Sequence, residues 1–378
     1  MDNMLQKITD FIKKETVLTI ATAFAVASAF WVHPGPQYVG YIDWRVLGIL
    51  LSLMLIVAGF QSNGLFDAIG SRLLAKTKNT AQLMLVLVFL CFFSSMFITN
   101  DVALLTFVPF ACTILQKCHQ ERLIVTTFVL QTLAANLGSM LTPVGNPQNL
   151  YLYSISGAGL GEFIGWMAPY TLVSGVLLLL VVFVLSAGKR RISLETGALL
   201  QTSGAAGRKK NGIYLALFVL SLLSVARVLP WELMLAVVLI VLIFTDRAVF
   251  LRVDYCLLFT FISFFIFIGN MGNIEAVRSV LQSLVAGREL AVGIGASQII
   301  SNVPATLLLA DFTDDLKHLA IGVNLGGLGT LIASMASLIS YKIYAHNYNK
   351  TKGRYLLWFT IANVLFLAVL VLVYVFIS

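Results

Sequence analysis

Charged residues are scarce in this sequence. Lys, Arg, Asp and Glu make up 11% of its 378 residues, whereas a soluble domain spends about a quarter of its residues on charge. Hydrophobic residues make up 59%, the mean hydropathy is +0.93, and apolar runs recur from Thr16 to Ile377. Many of these runs approach the roughly 20 residues that a helix needs to cross a bilayer. The composition excludes a separate soluble domain and predicts an all-α polytopic membrane protein.

Histidine and cysteine are also few, and neither forms a recognisable metal or nucleophile motif. The sequence contains no HExxH and no GxSxG, which mark zinc peptidases and hydrolases with a nucleophile elbow. Its cysteines lack the CxxC spacing of redox and zinc sites. We therefore predict no enzyme activity, no disulfide framework and no cofactor other than bound Na⁺. The residues concerned are His33, His119, His318, His346, Cys91, Cys112, Cys118 and Cys256.

The basic residues lie in short clusters between apolar runs, which is typical of cytoplasmic loops and not of a nucleic-acid surface. The net charge is +8, and 20 of the 25 Lys and Arg residues fall on one side of the predicted topology. This bias places the N-terminus in the cytoplasm and, after nine crossings, the C-terminus outside. The polar stretch Met1–Glu15 predicts an uncleaved first helix. We expect a multi-pass protein of the bacterial cytoplasmic, or inner, membrane.

The apolar runs predict nine spanning helices and two re-entrant hairpins. Each hairpin is an apolar pair interrupted by polar residues, at 80–117 and 289–315, and follows a weaker amphipathic segment, at 64–76 and 273–286. The predicted hairpins enter and leave the membrane on one side. The predicted spanning helices cover residues 16–33, 43–60, 122–149, 163–187, 212–229, 231–246, 255–270, 317–340 and 355–377.

Two motifs occur twice in the same order. S-x-x-I-[ST]-N occurs at 95–100 and 297–302, and N-L-G-x-x-x-T occurs at 136–142 and 324–330. Transporter folds are often duplicated with the second copy inverted, and the charge bias places the two hairpins on opposite sides. Looser matches pair Asp43-Trp44 with Asp254-Tyr255, and the segment at Gly64 with that at Gly272. We predict a first inverted repeat at 1–187, a basic loop and connector helix at 188–230, and a second repeat at 231–378.

Glycines and prolines interrupt one predicted helix in each half. Thr142–Pro147 contains two prolines and a glycine, and Gly326–Thr330 contains three glycines, so both helices should unwind. In hydrocarbon, backbone leaves helical geometry only where protein or a water-filled cavity satisfies it. Exposed carbonyls suit a cation such as Na⁺, and half-helix N-termini suit an anion.

Hydroxyl and amide side chains beside these breaks can complete a binding shell without placing net charge in the membrane. Taken singly, each could instead join two helices. We expect Na⁺ near Asn100, Asp101 and Asn136, and near Asn302 and Asn324. The candidate substrate- and ion-binding residues are Ser95, Thr99, Asn100, Asp101, Asn136, Gly138, Ser139, Thr142, Pro143, Gly145, Asn146, Ser297, Ser301, Asn302, Pro304, Asn324, Gly326, Gly329 and Thr330.

Asp101 differs from the rest of this set because a carboxylate inside the membrane is costly and by default indicates function. The second copy has Val303 at the equivalent position. The difference predicts that the first hairpin holds a cation or a proton that the second does not. The alternative is an Asp that caps the following half-helix.

With hairpin tips Thr99-Asn100-Asp101 and Ser301-Asn302-Val303-Pro304, and with the breaks at 141–150 and 322–330, the sequence resembles the ion transporter superfamily over nearly its whole length. Within that superfamily it is similar to the citrate-transporter-like and arsenite-permease-like bacterial permeases, which are related to the divalent anion/sodium symporters. The resemblance implies a scaffold, a transport domain, a homodimer and elevator-type alternating access. In the symporters, Ser-Asn-Thr motifs at both tips bind substrate carboxylate and flank sodium sites. Both tips depart from that motif at the third position, and the Asn100-Asp101 pair is more similar to the arsenite-permease branch.

We therefore expect a cation-coupled secondary transporter, driven by Na⁺ or H⁺, of a small anion such as a carboxylate or an inorganic oxyanion. Its expected partners are that anion, the lipid bilayer and a second copy of the chain, with no nucleic acid. The alternative is a Na⁺/H⁺ antiporter or an arsenite-type efflux permease in which Asp101 titrates. A channel is disfavoured because breaks in mid-helix imply occluded sites.

Overall fold

The computed structural model describes residues 6, 12, 15–186 and 205–377. Over these ranges the chain is helical with connecting turns and contains no strand. Most of the predicted basic loop 188–211 and of the N-terminal stretch lies outside the described residues. Four helical stretches are long and apolar enough to cross a membrane, namely Trp44–Ser62, Leu160–Leu185, Tyr255–Gly272 and Asn349–Ile377.

The chain forms eighteen α-helices over the described ranges. In the first half these are α1 (Thr16–Ser28), α2 (Gln37–Tyr41), α3 (Trp44–Ser62), α4 (Leu65–Leu74), α5 (Thr80–Ser94), α6 (Asn100–Lys117), α7 (Ile124–Ser139), α8 (Pro147–Ile155) and α9 (Leu160–Leu185). In the second half they are α10 (Ala205–Val225), α11 (Trp231–Thr245), α12 (Tyr255–Gly272), α13 (Glu275–Val285), α14 (Glu289–Ile300), α15 (Asn302–Ala310), α16 (Leu316–Gly326), α17 (Met335–Asn347) and α18 (Lys352–Ile377).

Side-chain caps fix where several helices begin. Asp43 and Asp254 each accept a hydrogen bond from a backbone N–H in the first turn of α3 and α12, at 2.9 and 3.0 Å. Asn79 and Asn146 cap α5 and α8 in the same way. A capping oxygen satisfies a donor that has no partner within the helix, and losing it costs about 1 kcal/mol. The local sequence therefore sets these helix starts.

Some predicted boundaries are wrong. α1 ends at Ser28 instead of residue 33, because turns lead into the segment 33–36, whose two prolines have no N–H to donate. α10 begins at Ala205 instead of residue 212, because the Ala, Arg and Lys residues before 212 are good helix formers. The two broken helices continue to Ile155 and Asn347, because each second half restarts as a separate helix after its break.

The helices pack into two bodies. In the first body, α1 and α2 pack on α12, and α10 and α11 pack on α3. Asn270 of α12 donates hydrogen bonds to Ser28 Oγ and Tyr38 OH, both at 2.9 Å. In the second body, α5 and α6 pack on α7, α14 and α15 pack on α16, and α9 and α18 cover α7. The bodies meet where α3 contacts α8 and where α12 contacts α15.

The order of elements recurs between the halves. A long helix (α3, α12) is followed by a short amphipathic helix, a hairpin, a broken helix and a second long helix (α9, α18). The structure contains a helix pair at each predicted hairpin and an interruption in each predicted broken helix, and the re-entry of the hairpins into the membrane stays a prediction. The breaks span 140–146 and 327–334. Each lies within the second body, beside a hairpin tip.

Candidate functional site

Each hairpin tip is bonded to the break in its own half. The backbone N–H of Asn100, at the first tip, donates to the carbonyl of Gly145 at 3.1 Å. The backbone N–H of Asn302, at the second tip, donates to the carbonyl of Ala333 at 2.9 Å. Gly145 and Ala333 stand at the same distance along the chain from Asn136 and Asn324. The two tips therefore sit on their breaks in the same register.

Glycines allow each hairpin to approach its broken helix. A Cβ at Gly138 would lie 2.6 Å from Ser95 Oγ and would also collide with the carbonyl of Phe92. A Cβ at Gly326 would lie 2.7 Å from Ser297 Oγ. The hydroxyls of both serines donate to carbonyls of their own helices, at 3.0 and 2.7 Å. The structure thus brings these predicted site residues together as helix contacts.

Asn136, at the end of the first half of its broken helix, collects bonds from both halves of the chain. Its Oδ1 accepts from Asn100 Nδ2 at 3.0 Å and from Ser334 Oγ at 3.0 Å. Its Nδ2 donates to Ser337 Oγ at 3.3 Å. Ser334 and Ser337 stand at the start of α17, beyond the second break. The first hairpin tip is thereby tied to the second broken helix.

Asn324 occupies the equivalent position in the second half and reaches back to the first. Its Oδ1 accepts from Asn146 Nδ2 at 3.2 Å. Its Nδ2 donates to Asn149 Oδ1 at 2.7 Å. Asn146 and Asn149 begin α8 and match Ser334 and Ser337 by position. Each broken helix is therefore held by the restarted helix of the other.

Amide side chains that the sequence analysis did not select satisfy the unwound backbone. Asn149 Nδ2 donates to the carbonyls of Met140 and Thr142, at 3.0 and 3.2 Å. Gln298 Nε2 donates to the carbonyls of Gly326 and Leu328, both at 2.8 Å, and its Oε1 accepts from the N–H of Thr330 at 2.9 Å. The missed residues are Asn149, Gln298, Ser334 and Ser337. The equal spacing of Asn149 and Ser337 from Asn136 and Asn324 is the signal that could have identified two of them.

Most of the remaining candidates bond within these two clusters. Thr142 Oγ1 donates to the Met96 carbonyl at 2.5 Å, and Ser139 Oγ donates to the Asn136 carbonyl at 3.0 Å. Thr330 Oγ1 donates to the Gln298 carbonyl at 3.3 Å. Ser301 and Gly329 have φ of 73° and 113° and turn the chain at the second tip and break. Pro143 and Gly145 lie in the first break, and Thr99 and Pro304 flank the two tips.

Asp101 and Asn302 have side chains without hydrogen-bond partners within the described ranges. Oδ1 of Asp101 is buried and accepts no bond there, and the N-cap of α6 is Thr99. The interpretation of Asp101 as a helix cap is therefore wrong. The Asn302 side chain is 5% exposed, and its Nδ2 lies next to Gly327. A buried carboxylate oxygen without a partner is costly, so Asp101 is suited to contact a bound cation, and the Asn302 amide is placed to contact a molecule bound at the second tip.

The cavities at the two tips differ in size. A cavity of about 120 Å³ lies between the start of α1 and the helices α12, α15 and α17, and its lining includes Asp254, Val303, Pro304 and Lys342. A smaller cavity, between α3, the first tip and α8, is about 20 Å³ and is lined in part by Thr99. The two halves thus enclose different amounts of space beside equivalent tips.

Polar contacts also join α8 to neighbouring parts of the chain. Ser154 Oγ donates to Asp43 Oδ2 at 3.2 Å, and Tyr151 OH donates to Asp311 Oδ1 at 3.3 Å. Arg227 donates to the carbonyl of Tyr153 at 2.8 Å and lies 4.8 Å over its ring. Burial raises the pKa of the Asp311 carboxyl above its usual value, although the bond from Tyr151 lowers it.

Comparisons with known proteins identify the family of the chain. The family model described as citrate transporter, CitMHS, matches residues 10–318. The uncharacterized transporter MJ0456 of Methanocaldococcus jannaschii is 33% identical over 87% of this chain and 89% of its own length. The inner membrane protein YbiR of Escherichia coli is 33% identical over 84% of this chain and 85% of its own length. The transporter named arsB of Dictyostelium discoideum is 27% identical over 34% of this chain and 23% of its own length. The chain therefore belongs to the citrate transporter family of membrane transporters.

Proposed function

We propose that this protein is a cation-coupled secondary transporter of a small anion, either a carboxylate or an inorganic oxyanion. The main support is the pair of polar clusters around Asn136 and Asn324, each of which joins a hairpin tip to the break in its own half; we call them the tip-and-break clusters. Asn136 and Asn324 each also form hydrogen bonds to the other half of the chain. Such clusters place helix ends and amides at one locality without a Lys or Arg among them. Membership of the citrate transporter family supports an anionic substrate.

The anion is held by half-helix N-termini and neutral donors. α6, α8, α15 and α17 all begin at the tips or just beyond the breaks. The N–H groups of Asn100 and Asn302 already donate to break carbonyls, and that of Asn149 donates to its cap Asn146. The anion is therefore assigned to the remaining N–H groups of these first turns, which have no carbonyl partner within their own helices. These N–H groups and the positive end of each helix dipole attract negative charge. Asn302 Nδ2 adds a donor that is not used within the described part of the chain. We assign substrate binding to these groups.

The coupling cation is held beside the first tip. Asp101 supplies a carboxylate, and the unwound carbonyls of the first break supply further oxygen ligands of the kind that Na⁺ binds. We assign one Na⁺ or proton to the neighbourhood of Asn100, Asp101 and Asn136. A second Na⁺ near Asn302 and Asn324 would rely on neutral ligands alone, because Val303 replaces the carboxylate.

The halves 1–187 and 231–378 act as inverted repeats joined by residues 188–230. The recurring element order and the matching bonds of Asn136 and Asn324 support this relation. The first body (α1–α3 and α10–α12) is the scaffold and the dimer interface of a homodimer. The second body is the transport domain, which moves against the scaffold in an elevator-type cycle. Positive charge places the N-terminus inside, so the 120 Å³ cavity faces the cytoplasm.

Transport into proteoliposomes tests the proposal. Labelled citrate, phosphate and sulfate are offered separately under an imposed Na⁺ gradient, an imposed proton gradient, and neither. Uptake of at least one anion that requires one of the gradients is the expected result. The matched control is Asn100→Ala/Asn302→Ala protein at the same density in the vesicles. Anion uptake that is equal with and without both gradients would contradict cation coupling.

The second candidate is a Na⁺/H⁺ antiporter or an arsenite-type efflux permease. The buried Oδ1 of Asp101 favours it, because a carboxylate without a donor can carry a proton through the cycle. The partial similarity to arsB also agrees with it. Proton-driven Na⁺ flux that is independent of any anion identifies the antiporter. Arsenite efflux driven by the proton gradient identifies the permease.

A further inference from the structure

An apolar groove runs along the outside of the second body, away from both tip-and-break clusters. It is bounded by α7, α9 and α18 and has a volume of about 450 Å³. Leu180 and Val184 of α9 line one wall, and Ile361 and Leu365 of α18 line the other. These four side chains are between 45% and 71% exposed. The groove is therefore open toward the hydrocarbon of the bilayer.

The length of the groove matches one leaflet. Along α18 it extends from Trp358 to Val369, which at 1.5 Å per residue is about 17 Å. Half of a typical hydrocarbon core is about 15 Å. Trp358 at one end suits the membrane interface, where its ring is amphipathic, and Val369 then lies near the bilayer centre. A lipid acyl chain from a single leaflet would fill the groove.

Exposed arginines stand at the interfacial end of the groove. Arg354 precedes Trp358 by one helical turn on the same stripe of α18. Arg122 lies in the 3-10 turn Glu121–Leu123 that leads into α7, four residues before the groove residue Thr126. Lys350 and Lys352 are exposed beside Arg354. Glu121 is the acidic neighbour at this end. Among the described residues at this end the cations outnumber the acid, so the end of the groove favours an anionic headgroup over a zwitterionic one.

We propose that this groove is a binding site for an anionic phospholipid of the cytoplasmic leaflet. One acyl chain lies between α9 and α18, and the phosphate contacts Arg122 and Arg354. Both groove walls belong to the second body, so the lipid moves with that body if it moves. The site is independent of the substrate and of the coupling cation.

Native mass spectrometry of the purified protein tests the site. The protein is incubated with phosphatidylglycerol or phosphatidylcholine carrying identical acyl chains, and bound lipid is counted. We expect wild-type protein to retain phosphatidylglycerol in preference. Each arginine near the surface is worth about fivefold in affinity for anionic lipid. Arg122→Gln and Arg354→Gln should therefore each lower phosphatidylglycerol retention about fivefold and leave phosphatidylcholine unchanged.

Two further variants make the test decisive. Arg252→Gln removes an exposed arginine outside the groove and should leave lipid retention as in wild type. Ala362→Phe places a ring in the groove and should lower the retention of both lipids. Equal retention of the two lipids by wild type, or an equal loss in Arg252→Gln, would overturn the proposal. Loss of a dimer in Ala362→Phe with unchanged lipid retention would assign the groove to a second copy and also overturn it.

Discussion

Ser154 donates a hydrogen bond to Asp43 Oδ2 at 3.2 Å, and this bond joins α8 of the second body to the start of α3 in the first. Counted from the matching motifs, the equivalent positions in the second half hold Lys342 and Asp254. These two side chains line the 120 Å³ cavity and form no ion pair with each other. If the halves exchange conformations during transport, they also exchange these contacts. The Asp43–Ser154 bond then closes one side, and an Asp254–Lys342 ion pair closes the other.

Cysteine cross-linking tests this exchange. In a Cys256→Ala background, which removes the one cysteine that is not buried, Asp43→Cys/Ser154→Cys should cross-link on oxidation without substrate. Asp254→Cys/Lys342→Cys should cross-link only when substrate and coupling cation are both present. Gel mobility reports the cross-link, and flux in proteoliposomes reports its effect. Equal cross-linking of both pairs without substrate would contradict the exchange.

Alanine substitutions of the two tip asparagines, Asn100 and Asn302, should affect transport alike but the free energy of unfolding differently. Asn100→Ala removes the bond to Asn136 and should lower the free energy of unfolding by about 1 kcal/mol. Asn302→Ala removes no side-chain bond within the described ranges and should therefore lower the free energy of unfolding less than Asn100→Ala does. Both variants should abolish transport. Thermal unfolding and flux measure the two effects, and wild-type flux in both variants would make the motif pairing purely structural.

Asp101→Asn tests the coupling role. Because Oδ1 of Asp101 is buried and accepts no hydrogen bond in the described part of the chain, the neutral amide should be easier to accommodate, and thermal stability should not fall. Transport should lose its dependence on the driving cation, or on pH if the cation is a proton. Asp67→Asn, at an exposed position on α4, is the matched control. Unchanged cation and pH dependence in Asp101→Asn would exclude this residue as the coupling group.

An added methyl group should destabilise the protein more at the glycines that contact a hairpin than at a glycine with open space around it. Gly138→Ala meets both Ser95 and the fixed backbone of Phe92, so we expect destabilisation of about 1–3 kcal/mol. Gly326→Ala also meets Ser297 Oγ, at 2.7 Å, and Ser297→Gly should partly restore its stability. Gly165→Ala on α9, which has open space around it, should be neutral or stabilising. Thermal unfolding of the purified variants gives the comparison, and equal stability of Gly138→Ala and Gly165→Ala would show that the hairpin can yield.

The sequence by itself determined the membrane class, the helices and the two breaks. Scarce charge and long apolar runs leave no alternative to burial in lipid, and Thr142–Pro147 and Gly326–Thr330 interrupt a helix wherever they are placed. The caps Asp43 and Asp254 act within one turn of their own positions. These features are local, so hydropathy and residue type suffice to predict them.

Only the tertiary structure decided which polar groups meet. The bonds from Ser334 to Asn136 and from Asn146 to Asn324 join residues 198 and 178 positions apart, and no local pattern encodes such a pairing. Local sequence also does not decide the partners of Asp101, whose position suggests a helix cap although its Oδ1 accepts no hydrogen bond in the described part of the chain. Nor does it decide the different sizes of the cavities near the two tips. Hydrogen-bond partners depend on how the helices pack, because a polar side chain bonds to whichever group the fold brings within about 3 Å.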